Sequence, residues 1–351
     1  MILKNTIDII NNIKTASKEE ITFLLDNYSE EDGSYAASEA RKLTDEIFGK
    51  KIFIRGIIEF TNVCRNDCYY CGLRCSNSKV ERFRLSEEEI LSCCRKGHQY
   101  GIRTFVLQGG EDPFYNDERM IKIVSDIRNE FPDSAITLSL GERSCESYEK
   151  LCRAGADRYL LRHETFNAEH YRKLHPEKMS RDNRIKCLSD LKKAGFQTGC
   201  GIMVGSPYQT SENIAEDLIF MREFKPQMIG IGPFIPQKDT PFGNMPAGSV
   251  KLTLFLLSII RLMLPKVLLP ATTALGTLGS ENKTDGRISG LLCGANVIMP
   301  NLSPEVIREK YCIYDNKANV KDDMNTEFEK IREMLGKAGF EIVIGRGDAL
   351  E

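Results

Sequence analysis

The sequence predicts an α/β protein built as a (β/α)8 TIM-type barrel, with a helical N-terminal extension and a C-terminal cover. Three observations carry that expectation. From Lys51 onward, short runs rich in β-branched and aromatic residues alternate eight times with amphipathic stretches. That pattern implies a parallel sheet with right-handed crossovers, and eight such units can close on themselves. Residues 1–50 show only helical periodicity, so they stand outside the alternation. After Pro304 the alternation stops and a helix, turn and helix pattern follows. The expected division is therefore 1–50, 51–303 and 304–351.

In the extension, Ile7, Ile10 and Ile13 recur at helical spacing, and Ser17 opens a capping-box pattern with Glu20. Ile21, Leu24 and Leu25 then share one face. The polar 29–34 segment interrupts before a further helix over 35–48, and these helices are expected to cover one end of the barrel. Strands are expected at 52–60, 104–107, 136–140, 158–161, 198–204, 228–231, 267–269 and 296–299. The helices between them begin near Ser86 (a second capping box), Asp117, Ser144, Asn167 with a further part from Arg181, Ser211, Ser249 and Asp285. In the tail, 325–338 is amphipathic and 340–344 is a short apolar run suited to covering.

Composition excludes several classes. The 351 residues carry a formal charge of -2 with no block of like charge, which argues against a nucleic-acid partner. The longest apolar stretch, 252–263, contains Thr253, Ser258 and Arg261 and falls short of the ~20 residues that cross a bilayer, so it reads as a buried helix rather than a membrane span. Met1-Ile-Leu-Lys4 opens no secretory leader, because Lys4, Asp8 and Lys14 interrupt the segment. The 12 cysteines therefore point to a reducing cytoplasm rather than to disulfides.

Cys64, Cys68 and Cys71 follow the apolar run ending at Phe60, with three and then two residues between them. A strand feeding such a loop can aim three thiolates at one point. Structural zinc wants four protein ligands, whereas a four-iron cluster held by three cysteines keeps one iron open. Cys75 is a candidate fourth ligand, but it lies beyond the Gly72-Leu-Arg turn. The histidines offer no zinc site: His163 lies on the face opposite Arg162 and Glu164 and is expected outward, and His170 and His175 have helix-like surroundings.

Other unusual residues gather at expected strand ends, which form the catalytic rim of a barrel. Gly109 and Gly110 let backbone approach a ligand, or simply form a tight turn. Arg162 and Glu164, two apart on a strand, share a face, either as a filling ion pair or as a binding pair. Arg55 is a charge inside an apolar strand, and Thr272 and Thr273 offer hydroxyls after the seventh strand.

Cys64-Arg-Asn-Asp-Cys-Tyr-Tyr-Cys-Gly-Leu-Arg74, Leu107-Gln-Gly-Gly-Glu-Asp-Pro113, Leu138-Ser-Leu-Gly-Glu142, Arg158-Tyr-Leu-Leu-Arg-His-Glu-Thr165, Gly230-Ile-Gly-Pro-Phe-Ile-Pro236, Pro270-Ala-Thr-Thr-Ala-Leu-Gly276 and Gly294-Ala-Asn-Val-Ile-Met-Pro-Asn301 occur in that order. Together they resemble the radical S-adenosylmethionine (SAM) superfamily and, within it, the HydE family of [FeFe]-hydrogenase maturases, from about Ile54 to about Tyr314. The resemblance implies a closed barrel, a [4Fe-4S] cluster on Cys64, Cys68 and Cys71, and reductive cleavage of SAM to a 5′-deoxyadenosyl radical. It assigns Tyr70, Gly109, Gly110, Ser139, Glu164, Arg184, Met203, Met299 and Tyr311 to the SAM side, with Glu111 structural within the Gly-Gly-Glu segment. By residue type alone, Met299 and Tyr311 are core and cover, and Arg184 is equally a surface-helix residue. It assigns Arg55, Gln108, Thr137, Arg162, Thr272, Thr273 and Tyr314 to a cavity for a small anionic substrate, thought in the family to be an iron-cysteine organometallic species. Thr137 and Tyr314 read by themselves as packing. Implied partners are a reductant such as ferredoxin or flavodoxin and the maturases HydG and HydF, with no membrane or nucleic acid.

Two departures stand out. The family's Gly-Leu-Pro-Gly-Gln-Thr segment is here Gly205-Ser-Pro-Tyr-Gln-Thr210, with Tyr208 in place of a glycine. The accessory-cluster cysteines of many relatives are missing from 314–324, so one cluster is expected; Cys312 fits a different position. Cys93, Cys94, Cys152 and Cys187 read as buried thiols, and Cys293 has no metal role. Alternatives are a methylornithine-synthase-like mutase, a biotin-synthase-like sulfur inserter lacking its second cluster, and a non-catalytic Fe–S carrier.

Overall fold

The computed structural model describes residues 5–278, 285–317 and 323–350. The leader reading at Met1-Ile-Leu-Lys4 and part of the accessory-cysteine reading, 318–322, fall outside the described residues. The strands are β1 (Lys51–Ile54), β2 (Gly56–Thr61), β3 (Thr104–Gly109), β4 (Ala135–Ser139), β5 (Arg158–Leu160), β6 (Gln197–Cys200), β7 (Met203–Val204), β8 (Met228–Ile229), β9 (Gly232–Pro233), β10 (Val297–Ile298) and β11 (Glu341–Val343).

Six of them form one parallel sheet in the order β2-β3-β4-β5-β6-β8, with β7-β9 and β10-β1-β11 as smaller sheets. Ile57 stands opposite Val106, and Val106 opposite Thr137, so equivalent positions line up along the strand ends. Helices such as Glu87–Gln99, Asp117–Glu130 and Ser211–Phe224 connect successive strands, each with a side-chain N-cap. Single parallel bridges at Met228–Leu268, Pro270–Val297 and Ile57–Asn301 carry the pairing onward from β8 and back to β2.

Several expected strands divide. The 52–60 run breaks at Arg55, where the chain changes from pairing with β10 and β11 to pairing with β3. The 198–204 run parts at Gly201, where an added Cβ would lie 1.9 Å from the Gly230 carbonyl oxygen. At 267–269 only Leu268 makes a bridge. The apolar 340–344 run supplies β11, so the tail contributes a strand.

The N-terminal helices are α1 (Thr6–Asn11), α2 (Lys18–Asn27) and α3 (Glu30–Phe48). The polar 29–34 segment starts α3 instead of interrupting it, because Ser29 and Asp32 make a capping box. Phe48 at the end of α3 packs against Met228, Leu268 and Val297 of the strands, while α2 packs on Ser211–Phe224 and α3 on Val250–Met263. The apolar flank of Val250–Met263 is the reason: it needs a second helix, and α3 supplies it. Arg41 and Thr44 reach the loop before β10, donating to Leu291 O (2.9 Å) and Gly294 O (3.3 Å), and Ala40 packs beside Gly294. Among the described residues no helix is long and apolar enough to cross a membrane.

The amino ends of the strands meet the tail. Arg158, 0% exposed at the start of β5, donates to Asp348 Oδ1 at 2.7 Å and to Arg346 O at 2.6 Å. Thr104 Oγ1 also donates to Arg346 O, and Arg55 Nη2 to Gly347 O.

Candidate active site

The cysteine loop leaves the end of β2. Arg82 folds it by donating to the carbonyls of Asn62 (2.6 Å), Leu73 (2.9 Å), Arg74 (2.7 Å) and Asn77 (3.1 Å). Cys64, Cys68 and Cys71 are half-buried, whereas Cys75 is exposed beside an Asp67–Arg74 pair. The Gly-Gly segment after β3 clamps the loop: a Cβ on Gly110 would lie 2.2 Å from Val63 O and 2.8 Å from Cys64 Cβ. On the other side, a Cβ on Gly72 would lie 2.0 Å from Cys312 O. Glycine is therefore required at Gly110 and Gly72 by the chain itself.

Burial pushes the Cys71 thiol up to about 12, and the adjoining Cys64 adds to the effect. Cys68 is raised likewise by burial, then by Cys71 and Cys64. Three such thiolates need nearby positive charge, which iron supplies on binding. Among the described residues no three His, Cys, Asp or Glu side chains gather tightly enough for a single metal ion. A cluster makes a different demand, since it distributes its cysteines over separate irons. The donor set fits a cluster.

A cavity of about 360 Å³ opens against Cys68 and Cys71 at the carboxyl ends of the strands. Arg55, Gln108, Thr137, Arg162, Thr272, Thr273 and Tyr314 all line it, as do Tyr70, Glu164, Met203 and Met299. Arg55 Nε, Thr137 Oγ1, Arg162 Nε and Thr272 Oγ1 are buried there without a hydrogen-bond partner among the described residues. Buried donors in this state are a recognition surface for an acceptor-rich ligand. Burial also pushes the Arg55 guanidinium well down, with Arg158 acting the same way.

Arg162 and Glu164 do form an ion pair, at 2.9 Å. The reason is not strand alternation, because β5 ends at Leu160 and Glu164 adopts a left-handed φ of 63°. Arg184 is buried and donates to Glu142 Oε1 (2.5 Å) and Arg162 O (2.7 Å). Tyr311 meets Gln108 Nε2 at 3.3 Å, and Ser139 stands beside Gln108 in register. Glu111 holds Arg65 (3.0 Å) and the Glu142 amide (2.9 Å), a structural position. Gly109 faces the ring of Phe60 and Thr61. Gly109, Gly110, Glu111, Ser139, Arg184 and Tyr311 thus stand behind the cavity's lining.

The Radical SAM superfamily signature matches residues 58–221. The [FeFe] hydrogenase maturase subunit HydE of Thermotoga maritima is 49% identical over 280 residues, covering 79% of this chain and 78% of that protein. The chain belongs to the HydE family of radical SAM enzymes. The 3-methylornithine synthase of Methanosarcina barkeri is 30% identical over 88% of this chain and 87% of its own. The crystal structure of methylornithine synthase (PylB) superposes with a TM-score of 0.80 at 26% identity, covering 97% of each chain. The cluster and SAM are the cofactors of the superfamily.

Within this HydE-family site, sequence reasoning missed three residues. Glu59, 2% exposed in β2, lines the cavity and accepts from Asn301 Nδ2 at 2.9 Å and from Lys317. It carried the same signal as Arg55, a charge inside an apolar strand. Lys317 lies 258 residues away and had no local signal. His175 Nε2 sits 3.1 Å from the Tyr70 hydroxyl, and its Nδ1 is 3.0 Å from Tyr171 O. Burial, then Arg184, lowers His175 to about 3, so it is neutral and accepts from Tyr70. His163 points away from the cavity, but it is fully buried, not outward to solvent: the helix Ser211–Phe224 covers it, with Asp217 Oδ1 3.3 Å from its Nε2. Cys152 is half-buried, whereas Cys93, Cys94 and Cys187 are buried. Lys317→Met is expected to cost about 3 kcal/mol in urea unfolding by stranding Glu59, and Glu59→Gln/Lys317→Met to cost clearly less. Equal losses would show that the pair is not coupled.

Proposed function

We propose that this enzyme binds a small anionic substrate, an iron–cysteine organometallic species with CO and cyanide ligands, on the route to the hydrogenase diiron subsite. The observation that carries the reading is the row of unpartnered buried donors on Arg55, Thr137, Arg162 and Thr272 around one cavity that also meets Cys68 and Cys71. When bound, the cluster and SAM supply one-electron cleavage of the sulfonium and a carbon radical.

The chain's own residues do the rest. Arg162 and Arg55 offer their unpartnered Nε–H groups to anionic oxygens or cyanide nitrogens, and Thr137, Thr272 and Thr273 add hydroxyls that fix the substrate's orientation. Val106, Leu160, Met228 and Phe234 line the same space and exclude water from it. Glu164, held by Arg162, and Tyr70, oriented by His175, are assigned to SAM, as are Met203 and Met299. Arg184 is assigned to the SAM carboxylate, with Glu142 keeping it charged and placed. Gly109, Gly110, Ser139 and Tyr311 support this shell from behind, and Glu111 fixes the loop.

One cluster is assigned, on Cys64, Cys68 and Cys71, with Cys312 docking by its backbone on Gly72. The parallel bridges that continue from β8 through Leu268 and β10 to β2 support a closed (β/α)8 barrel. HydG as supplier, HydF as acceptor and a ferredoxin or flavodoxin as reductant, all in the cytoplasm, complete the reading. The methylornithine-synthase likeness favours a second one, a carbon-skeleton mutase in the same cavity.

Anaerobic reconstitution with iron and sulfide, then dithionite and SAM, tests the proposal. About four irons per chain and 5′-deoxyadenosine are expected. Formation of 3-methylornithine when L-lysine, its isomer, is added to the same mixture would favour the mutase. Four irons without SAM cleavage would leave only an Fe–S carrier, and zinc in place of iron would overturn the site.

A further inference from the structure

We propose that the surface formed by Tyr208 with Arg172, Lys173 and Lys178 docks an acidic one-electron carrier protein. The inference rests on the radical SAM reading of the cysteine loop and adds the place where the electron enters.

Tyr208 keeps a left-handed backbone, φ 66°, in a position where its side chain is 56% exposed. A Cβ in that region is sterically unfavourable, and burial of the ring does not offset it. The ring instead stands between two neighbours: the Lys173 ammonium 5.7 Å from its centre, and the Phe242 ring at 6.2 Å. Phe242 in turn meets Tyr69 at 6.0 Å. Tyr69 is bonded directly to Cys68 in the chain, and its amide donates to Leu174 O at 3.0 Å. Three aromatic rings therefore lead from solvent to the cysteine loop.

The adjoining segment is basic. Arg172, Lys173 and Lys178 are exposed, and Lys178 Nζ lies 3.4 Å from the carbonyl of Arg65, inside the loop between Cys64 and Cys68. Glu169, 3.5 Å from Lys173, and Glu177 are the acidic residues of that segment. The groove on the other side of Arg65 is lined by five carboxylates, Glu111, Asp112, Asp117, Glu118 and Glu142, against the two guanidiniums of Arg65 and Arg143, an acidic excess that disfavours an acidic protein. Charge thus selects the Tyr208 side, and an exposed aromatic flanked by cations is the usual anchor of a steered, transient complex. In the transfer, the carrier loses one electron and the centre held by Cys64, Cys68 and Cys71 gains it; no bond or proton changes at the surface.

The test uses the full chain with its cluster reconstituted and a purified bacterial flavodoxin as probe. Binding is titrated at two salt concentrations, and cluster reduction is followed optically with flavodoxin hydroquinone or with dithionite, which needs no docking. Lys173→Glu/Lys178→Glu is expected to weaken binding and slow flavodoxin-driven reduction by about tenfold or more, with loss of salt dependence. Tyr208→Gly, which relieves the backbone, should slow it about threefold or more. Dithionite rates should be unchanged in both. Wild-type binding and reduction by flavodoxin in these variants would overturn the proposal, as would an equal fall with dithionite. Failure of dithionite to reduce even the unaltered protein would sink the radical SAM reading and the docking site with it.

Discussion

Replacing Cys68 by serine is expected to lower iron from about four per chain to below one and to reduce SAM cleavage by more than ~10³-fold. A hydroxyl is a poor thiolate substitute, and the loop's other cysteine, Cys75, is exposed and outside the cavity lining, with its amide held by Asn66 O at 2.9 Å. Cys75→Ser should therefore leave iron content and cleavage unchanged. The pair of variants, assayed for iron and for 5′-deoxyadenosine, separates a three-cysteine site from a four-cysteine one. Loss of iron in Cys75→Ser would mean that the loop rearranges on loading and that the open iron is closed.

Asp112→Ala is expected to be strongly destabilising, at about 3 kcal/mol. Its carboxylate, 1% exposed, accepts from Arg84 Nε (2.7 Å) and Nη2 (2.9 Å), Thr61 Oγ1 (2.8 Å) and the Phe114 amide (3.0 Å). Burial alone would raise this carboxyl; Arg84, the Phe114 amide and Thr61 outweigh burial and hold it below the usual 3.8. A depressed carboxylate stabilises the fold fully above its unfolded value. That contribution is lost as pH falls from about 4 through the folded value. Urea midpoints against pH should thus converge for wild type and variant under acid conditions and diverge above pH 5. A constant gap at every pH would assign the loss to packing. Since Asp112 follows the Gly109-Gly110-Glu111 segment, the variant should also weaken SAM binding.

How far the sequence could be read depended on whether a feature is local. The three cysteines lie within eight residues and announce their chemistry by spacing. The seven cavity residues are scattered from Arg55 to Tyr314 over strands, loops, a helix start and the tail, and only the ordered motifs connected them. Glu164 reached its partner by a left-handed turn that strand periodicity does not contain. Glu59 was legible by the rule that flagged Arg55, and was passed over. Lys317 and Asp348 were not legible, because each is defined by a contact with a residue far along the chain. The divided strands at Gly201 and Arg55 follow from close backbone approach and a change of sheet; the glycine and the charge mark the places, but the partners that divide the strands lie far along the chain.

Synthesis imposes an order on this molecule. β1, the strand just before the one that feeds the cysteine loop, pairs with β10 and β11, Phe53 opposite Val297 and Lys51 opposite Glu341, so it lacks both neighbours until those distant residues have been synthesised. Arg158 likewise waits, as a buried cation, for Asp348. Such long-range closure comes late in folding. The nascent chain therefore presents its loop thiols before the strands and the Arg158 contact that brace the fold beneath them are in place.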